Sequence, residues 1–154
     1  MKLSVGADGR MPVVDATLKY LEEQGHEVTF YGPASMEDGF NPYPDVARRV
    51  AEDVASGEAE DGIVFCYTGT GVTIAANKVP GIRAALVADS YTAKGARWWN
   101  NANVLAMSMR KTTDIMAREI IDAWFENQYD PDAEESITSA VDTLMGMDTE
   151  PAKD

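Results

Sequence analysis

The sequence is poor in cysteine, histidine and basic residues, and it has no long hydrophobic run. Its one cysteine, Cys66, has no second cysteine in the chain with which to form a disulfide, which favours a reducing, cytoplasmic location. The longest apolar runs, such as residues 84–88, are too short to cross a bilayer, so we expect no membrane span. An early glycine and aspartate interrupt the N-terminal segment, so we also expect no signal peptide.

Positive charge is scarce, since 13 lysines and arginines stand against 26 aspartates and glutamates and give a net charge of −13. A protein that binds duplex nucleic acid replaces its counterions with a basic face. The basic pair Arg48-Arg49 is isolated, and no basic stripe follows it. The composition therefore argues against nucleic acid and anionic membranes as partners, and the acidic excess is otherwise typical of a solubility feature.

Short apolar segments alternate with segments of helical periodicity along the 154 residues, a length suited to one domain. We expect strands over residues 2–7, 27–31, 62–67, 82–88 and 103–107. We expect helices over residues 12–24, 44–56, 72–78, 90–100, 113–125 and 134–145. This alternation predicts a three-layer α/β Rossmann-like fold, in which helices cover both faces of a five-stranded parallel sheet. The single domain is expected over residues 1–147, followed by a disordered tail over residues 148–154.

The most informative segment follows the third predicted strand and reads Cys66-Tyr-Thr-Gly-Thr-Gly-Val-Thr-Ile-Ala-Ala-Asn-Lys78. Ligands of parallel α/β sheets bind at the carboxyl ends of the strands, which is where this segment begins. Gly69 and Gly71 allow a tight turn and a close approach to a ligand, and the N–H groups of the following helix suit an anion. The spacing matches neither the dinucleotide-binding glycine motif nor a P-loop. By itself it is also compatible with a plain strand-to-helix turn.

Cys66 stands beside this turn and has two interpretations. A lone cysteine is often a small buried core side chain. Alternatively, its thiolate is a base or nucleophile, since a helix N-terminus favours the charged form of a nearby thiol. The residues alone leave both interpretations open.

Together with its surroundings, this segment resembles the family of ribose-5-phosphate isomerase B and galactose-6-phosphate isomerase. The resemblance extends over about residues 2–129. It is carried by Gly6-Ala7-Asp8, Tyr43-Pro44, the segment from Cys66 to Lys78, Pro80–Ala84, Asn100, Asn103–Ala106, Arg110 and Asp122–Trp124. It implies reversible aldose–ketose isomerisation through a cis-enediolate, without a metal or organic cofactor. It also implies a homodimer or tetramer with shared active sites.

The resemblance also assigns roles to individual residues. Cys66 becomes the base that moves a proton between C1 and C2, and Thr68 relays protons between the two oxygens. The backbone amides of the turn hold the developing oxyanion; this loop comprises Gly69, Thr70 and Gly71. The substrate contacts so implied are Asp8 and Tyr43 for sugar oxygens, with Asn100 and Arg110 reaching in from a second subunit.

The sequence departs from this family at three places. The family has a histidine after its aspartate, where this chain has Gly9 and Arg10, and a ring-opening histidine where this chain has Trp99. The family also uses two arginines near the start of its last helix to hold the substrate phosphate. The matching stretch, residues 129–135, contains four carboxylates and no arginine. The single histidine of the chain, His26, is predicted at the wrong end of the sheet to replace them.

These departures leave three functional hypotheses. The first is an aldose–ketose isomerase with a cysteine base that acts on an unphosphorylated or open-chain sugar derivative. The second is a pentose or hexose phosphate isomerase whose anion contacts have moved to Arg10 and Arg97. The third is a catalytically silent sugar-binding or regulatory relative, against which the retained Cys66 and Thr68 argue. The adjacent tryptophans at positions 98 and 99 suit core or interface packing, and Trp99 is the better candidate for a ring over the pocket.

Overall fold

A computed structural model describes residues 1–149 and shows one parallel sheet of five strands in the order β2-β1-β3-β5-β4. The strands are β1 (Lys2–Ala7), β2 (Glu27–Tyr31), β3 (Asp61–Cys66), β4 (Ala84–Leu86) and β5 (Val104–Ser108). The helices are α1 (Pro12–Glu23), α2 (Tyr43–Ser56), α3 (Thr70–Ala76), α4 (Ser90–Asn100), α5 (Asp114–Glu126) and α6 (Glu135–Gly146). Helices pack on both faces, so the predicted α/β Rossmann-like fold is confirmed. Within the described range, no helix is both long and apolar enough to cross a membrane.

The central strand β3 is buried along its whole length, as expected for a parallel strand covered on both faces. Its side chains alternate between two apolar clusters. Ile63 and Phe65 pack with residues of α1, α4 and α5. Val64 and Cys66 pack with residues of α2 and α3 on the opposite face. The strand therefore delivers the Cys66 side chain to the α2/α3 side of the sheet.

A buried ion pair lies at the amino end of β3. Arg97 Nη1 is 3.0 Å from Asp61 Oδ1, and the two side chains are 12% and 4% exposed. Arg97 also donates hydrogen bonds to the carbonyl oxygens of Ala102 and Asn127, and its guanidinium lies 4.9 Å from the ring centroid of Trp124. Burial raises the pKa of Asp61 to about 6 against the opposing effect of Arg97.

The edge strand β4 is partly closed by the side chain of the residue that directly follows α3. Asn77 Nδ2 donates to the carbonyl oxygen of Ala84 at 2.9 Å, and Asn77 Oδ1 accepts from the Ala84 N–H at 2.8 Å. The carboxamide thus occupies the hydrogen-bonding positions that a further strand would use. Because unpaired strand edges invite pairing with other chains, this contact protects the edge as well as stabilising it.

Asn77→Ala is expected to lower the free energy of unfolding by about 1 kcal/mol, because both backbone groups of Ala84 lose their partner at a partly exposed site. Urea denaturation measures the change. The exposed neighbour Lys78 provides the matched control, and Lys78→Ala is expected to change stability by less than about 0.5 kcal/mol. Equal stabilities of the two variants would contradict the role of Asn77 at this edge.

Most element bounds differ from the sequence predictions by one or two residues, and the changes at β4 and at the tail are the most informative. Strand β4 spans Ala84–Leu86, shorter than the expected 82–88. A short 3-10 turn, Met147–Thr149, occupies the start of the expected disordered tail, and the Gly81 N–H donates to Asp148 Oδ2 at 2.8 Å. The tail prediction otherwise falls on residues 150–154, which lie outside the described residues.

Candidate active site

Cys66 is the last residue of β3 and lies at the carboxyl edge of the sheet with 5% of its surface exposed. After it the chain turns sharply, and Gly69 adopts a left-handed backbone conformation with φ +80° before α3 begins. This turn places the Gly69 N–H 3.2 Å from Cys66 Sγ, to which it donates a hydrogen bond. An N–H directed at sulfur stabilises negative charge there, so the arrangement suits a thiolate.

Both glycines of the turn are required by their surroundings. A Cβ on Gly69 would lie 2.5 Å from Leu86 Cδ1 and 3.0 Å from the backbone carbonyl carbon of Met107, and the positive φ would add strain. A Cβ on Gly71 would lie 2.8 Å from the ring of Tyr43. Tyr43 therefore packs directly across the turn with a half-exposed ring, and its role in binding sugar oxygens stays a prediction.

The hydroxyl groups of the loop form two separate hydrogen bonds. Thr68 Oγ1 and Thr70 Oγ1 are 2.8 Å apart, and both residues are exposed. Thr73 Oγ1 donates to the carbonyl oxygen of Gly69 at 2.7 Å and ties the turn to α3. The N–H groups of Thr70 and Gly71 stand in the first turn of α3, where the helix itself supplies no acceptor. Because the Gly69 N–H is directed at sulfur, these two amides are the ones that suit an oxyanion.

Asp8 follows β1 and reaches the same edge of the sheet. Its N–H donates to the carbonyl oxygen of Phe65 at 3.2 Å, and its own carbonyl accepts from the Asn41 N–H at 2.7 Å, so the backbone here is fixed. Its Oδ1 is buried and has no hydrogen-bond partner within residues 1–149. Burial raises the pKa of the Asp8 carboxyl group above its ordinary value. A buried acceptor of this kind suits a substrate hydroxyl.

Arg110 follows β5 and lies beside the loop of its own chain, whereas the resemblance implied that it comes from a second subunit. Its N–H donates to the carbonyl oxygen of Tyr67 at 3.0 Å. Its Nη1 donates to Tyr67 Oη at 2.9 Å. The partner of this guanidinium is thus a neutral phenol, so its positive charge suits an anionic group of a ligand. Sequence reasoning missed Tyr67, although its position between Cys66 and Thr68 was a signal.

The other arginines considered for an anion are held by groups of the fold. Arg10 Nε lies 2.6 Å from Asp15 Oδ1, and its guanidinium lies 4.7 Å from the ring centroid of Phe30. Arg97 belongs to the buried ion pair with Asp61. The structure therefore gives little support to relocated phosphate contacts at these two positions. Among the described residues no group of three or more histidine, cysteine, aspartate or glutamate side chains is arranged to hold a metal ion.

Trp99 and Asn100 lie at the opposite edge of the sheet from Cys66 in the same chain. Helix α4 runs back from the carboxyl end of β4 toward the amino end of β5, so its last residues reach the amino edge. The contact of Arg97 with Asp61, the first residue of β3, fixes this placement. Trp99 is 45% exposed and packs against Gly95, and Asn100 lines a groove of about 390 Å³. One chain alone does not bring these two residues to the sulfur.

Residues 4–141 match the family model described as Ribose/Galactose Isomerase. The chain belongs to this family. Galactose-6-phosphate isomerase subunit LacB of Clostridium acetobutylicum is 39% identical over 150 residues, which cover 96% of this chain and 86% of the relative. D-Erythrulose-4-phosphate isomerase of Pectobacterium atrosepticum is 40% identical over 132 residues, which cover 84% of this chain and 86% of the relative.

A solved structure of ribose-5-phosphate isomerase B from Clostridium thermocellum is similar over almost the whole length. It has a TM-score of 0.88 and 37% identity, covering 97% of this chain and 98% of that one. The expected ribose/galactose isomerase family and its Rossmann-like fold are thereby confirmed, and so is the expectation of an enzyme of the aldose–ketose isomerase type. The hypothesis of a catalytically silent relative is not supported.

Proposed function

We propose that this isomerase interconverts an open-chain aldose phosphate and the matching ketose phosphate, with Cys66 as the base. The observation that carries the proposal is the 3.2 Å hydrogen bond from the Gly69 N–H to Cys66 Sγ at the carboxyl edge of the sheet. A proton beside a carbonyl group leaves readily only where a base and oxyanion donors stand together. The amides of Thr70 and Gly71 follow Gly69 in the first turn of α3 and supply such donors.

The reaction follows from these positions. The Cys66 thiolate takes the proton from C2 of the aldose, and the carbonyl oxygen on C1 becomes an oxyanion held by the loop amides. The proton of the C2 hydroxyl then moves to the C1 oxygen through Thr68. The Cys66 thiol returns its proton to C1, and the C2 oxygen becomes the carbonyl of the ketose. The sulfur is again a thiolate at the end of the reaction, and no cofactor takes part in these steps. That the enzyme needs no cofactor stays a prediction.

An open-chain substrate fits the lack of an imidazole at the site. His26 is the only histidine, and it lies before β2 at the amino edge, where its ring centroid is 5.2 Å from that of Phe125. Most sugars close into rings that an acid–base group must open. A four-carbon sugar esterified on its C4 oxygen has no hydroxyl left for a five-membered ring. The relative named D-erythrulose-4-phosphate isomerase supports this substrate class.

We infer a phosphorylated substrate rather than the unphosphorylated sugar derivative expected from the sequence. The relatives are named for sugar phosphates, and Arg110 supplies a guanidinium beside the loop that no carboxylate of residues 1–149 pairs. The carboxylates of residues 129–135 follow α5, which runs to the amino edge. In their own chain they therefore lie at the far edge of the sheet from Arg110.

We also propose a homodimer in which a second copy brings Asn100 to the sulfur, as the resemblance implies, and Trp99 together with it. The amino edge carries exposed aromatic rings, since Trp98 and Trp99 are both 45% exposed. Neighbouring exposed aromatic side chains of this size are typical of surfaces that another chain covers. A tetramer and a cytoplasmic location remain predictions.

The substrate proposal predicts that kcat/KM for D-erythrose 4-phosphate exceeds that for D-ribose 5-phosphate by about 100-fold, because the enzyme has no histidine to open the pentose ring. Coupled or NMR assays of both sugars measure the ratio. Trp99→His is expected to lower this ratio of kcat/KM values by raising the rate on the pentose phosphate. Trp98→His, one residue away on a different helix face, is expected to leave the ratio unchanged. A wild-type preference for the pentose phosphate would contradict the open-chain proposal. A preference for free erythrose over its phosphate would instead support the hypothesis of an unphosphorylated substrate.

A further inference from the structure

The side chain of Thr70 makes a contact that its role as an amide donor does not need. Its Oγ1 lies 2.8 Å from Oγ1 of Thr68, and both residues are exposed at the carboxyl edge of the sheet. A hydroxyl group has one donor position and two acceptor positions. A hydrogen bond between the two threonines therefore fixes one of the three positions of Thr68 and thereby the directions of the other two.

We propose that Thr70 is a positioning residue that orients the Thr68 hydroxyl for proton transfer between the two substrate oxygens. This inference rests on the proposed isomerase function. In the enediolate, Thr68 Oγ1 accepts the proton of the C2 hydroxyl while its own proton passes to the C1 oxyanion, so Thr68 is unchanged at the end. The transfer needs a lone pair and an O–H bond of Thr68 to face the substrate together. The 2.8 Å contact is compatible with either hydroxyl as donor. This positioning role requires Thr70 to be the donor, so that its hydroxyl occupies the remaining lone pair of Thr68 and holds this arrangement.

A different threonine stabilises the backbone of the loop, so the positioning of a side chain and the shape of the loop can be tested separately. Thr73 Oγ1 donates to the carbonyl oxygen of Gly69 at 2.7 Å and so acts on the backbone of the turn. The contact of Thr70 is with a side chain, so it sets the orientation of Thr68 rather than the course of the chain. The two threonines differ by three positions on one short helix, which makes them a matched pair for substitution.

The experiment compares two rates in deuterated water with D-erythrose 4-phosphate as the probe: exchange of the C2 hydrogen with solvent, and formation of the ketose. Exchange needs the Cys66 step alone, whereas ketose formation also needs the transfer between oxygens. Thr70→Val is expected to raise the ratio of exchange to isomerisation by about tenfold, because more enediolate returns to the aldose. Thr70→Ser keeps the hydroxyl and is expected to restore the wild-type ratio.

Thr73→Val is the control, and it is expected to change both rates in parallel and leave their ratio near that of the wild type. An unchanged ratio in Thr70→Val, or a serine variant that behaves like valine, overturns the positioning role while the isomerase proposal stands. A wild-type protein that neither exchanges nor isomerises the probe overturns the proposed function, and the inference about Thr70 falls with it.

Discussion

Replacing Cys66 with serine is expected to reduce both isomerisation and solvent exchange of the C2 hydrogen by about 10³-fold or more, because the base that removes this hydrogen is lost. Serine is the sharper replacement, since its oxygen accepts the Gly69 N–H as sulfur does. The geometry of the turn is thus kept, whereas an alcohol is a far weaker acid than a thiol and supplies almost no anion at neutral pH. NMR in deuterated water follows exchange and isomerisation together.

Cys66→Ala supplies the complementary measurement. It removes the sulfur from a site that is 5% exposed, and the small cavity that results is expected to cost about 1 kcal/mol of folding stability. Both variants should therefore remain folded in circular dichroism and cooperative in denaturation. Exchange that persists in either folded variant within about tenfold of the wild-type rate would refute a cysteine base.

Cys66→Ser, combined with a second variant, also tests whether a second copy of the chain completes the site. Asn100→Ala removes a side chain at the amino edge of the sheet, far from the sulfur of its own chain. If each site combines Cys66 of one copy with Asn100 of the other, mixed dimers of the two inactive variants contain one intact site. Activity is then expected to return on mixing and subunit exchange. Two variants that stay inactive in a mixed dimer shown by mass to form would contradict the shared site.

The largest stability effect is expected at the opposite edge. Arg97→Met is expected to lower the free energy of unfolding by about 3–5 kcal/mol, because it leaves Asp61 as an uncompensated charge with 4% of its side chain exposed. Methionine keeps most of the apolar length of arginine, so packing against Trp124 changes less than the charge does. Urea or thermal denaturation at neutral pH measures the loss.

An exposed ion pair of similar geometry is the matched control. Arg48 Nη1 lies 3.0 Å from Glu52 Oε1, and both side chains are 53% exposed. Arg48→Met is expected to cost less than about 1 kcal/mol because water screens this pair. The double variant Arg97→Met with Asp61→Asn is expected to be more stable than Arg97→Met alone, since the buried charge is gone. Equal losses at Arg97 and Arg48 would show that burial does not govern the pair.

The fold was largely predictable because hydrophobic periodicity responds to burial, and β1 and β2 begin and end where the pattern placed them. Errors in the predicted strand bounds arise at residues that are buried but do not belong to a paired strand. Ile82 and Val87 flank β4 and are nearly fully buried, so they extended the predicted strand, although they lie outside the residues assigned to it. Ile115 fits the apolar periodicity of α5 but is 71% exposed, because it stands in the first turn of the helix at the edge of the sheet.

The candidate site was predictable only where its residues lie in one continuous segment of the sequence. The Cys66 and Gly69 pair follows from strand, glycine turn and helix in succession, and the structure brings the N–H to the sulfur. Partners of charged side chains come from remote elements, so the engagement of Arg10 with Asp15 and of Arg97 with Asp61 was not visible in the sequence. The placement of Trp99 at the far edge was available in principle, since a crossover helix always runs back along its sheet.

Strand β3 carries the buried carboxylate of the ion pair on its first residue and the sulfur on its last. At about 3.3 Å per residue, some 16 Å of backbone separates them. The proposed base and the buried ion pair thus lie at opposite ends of one buried strand. Substitutions around the sulfur that change the preferred sugar are therefore expected to leave the contribution of the distant ion pair to folding stability unchanged.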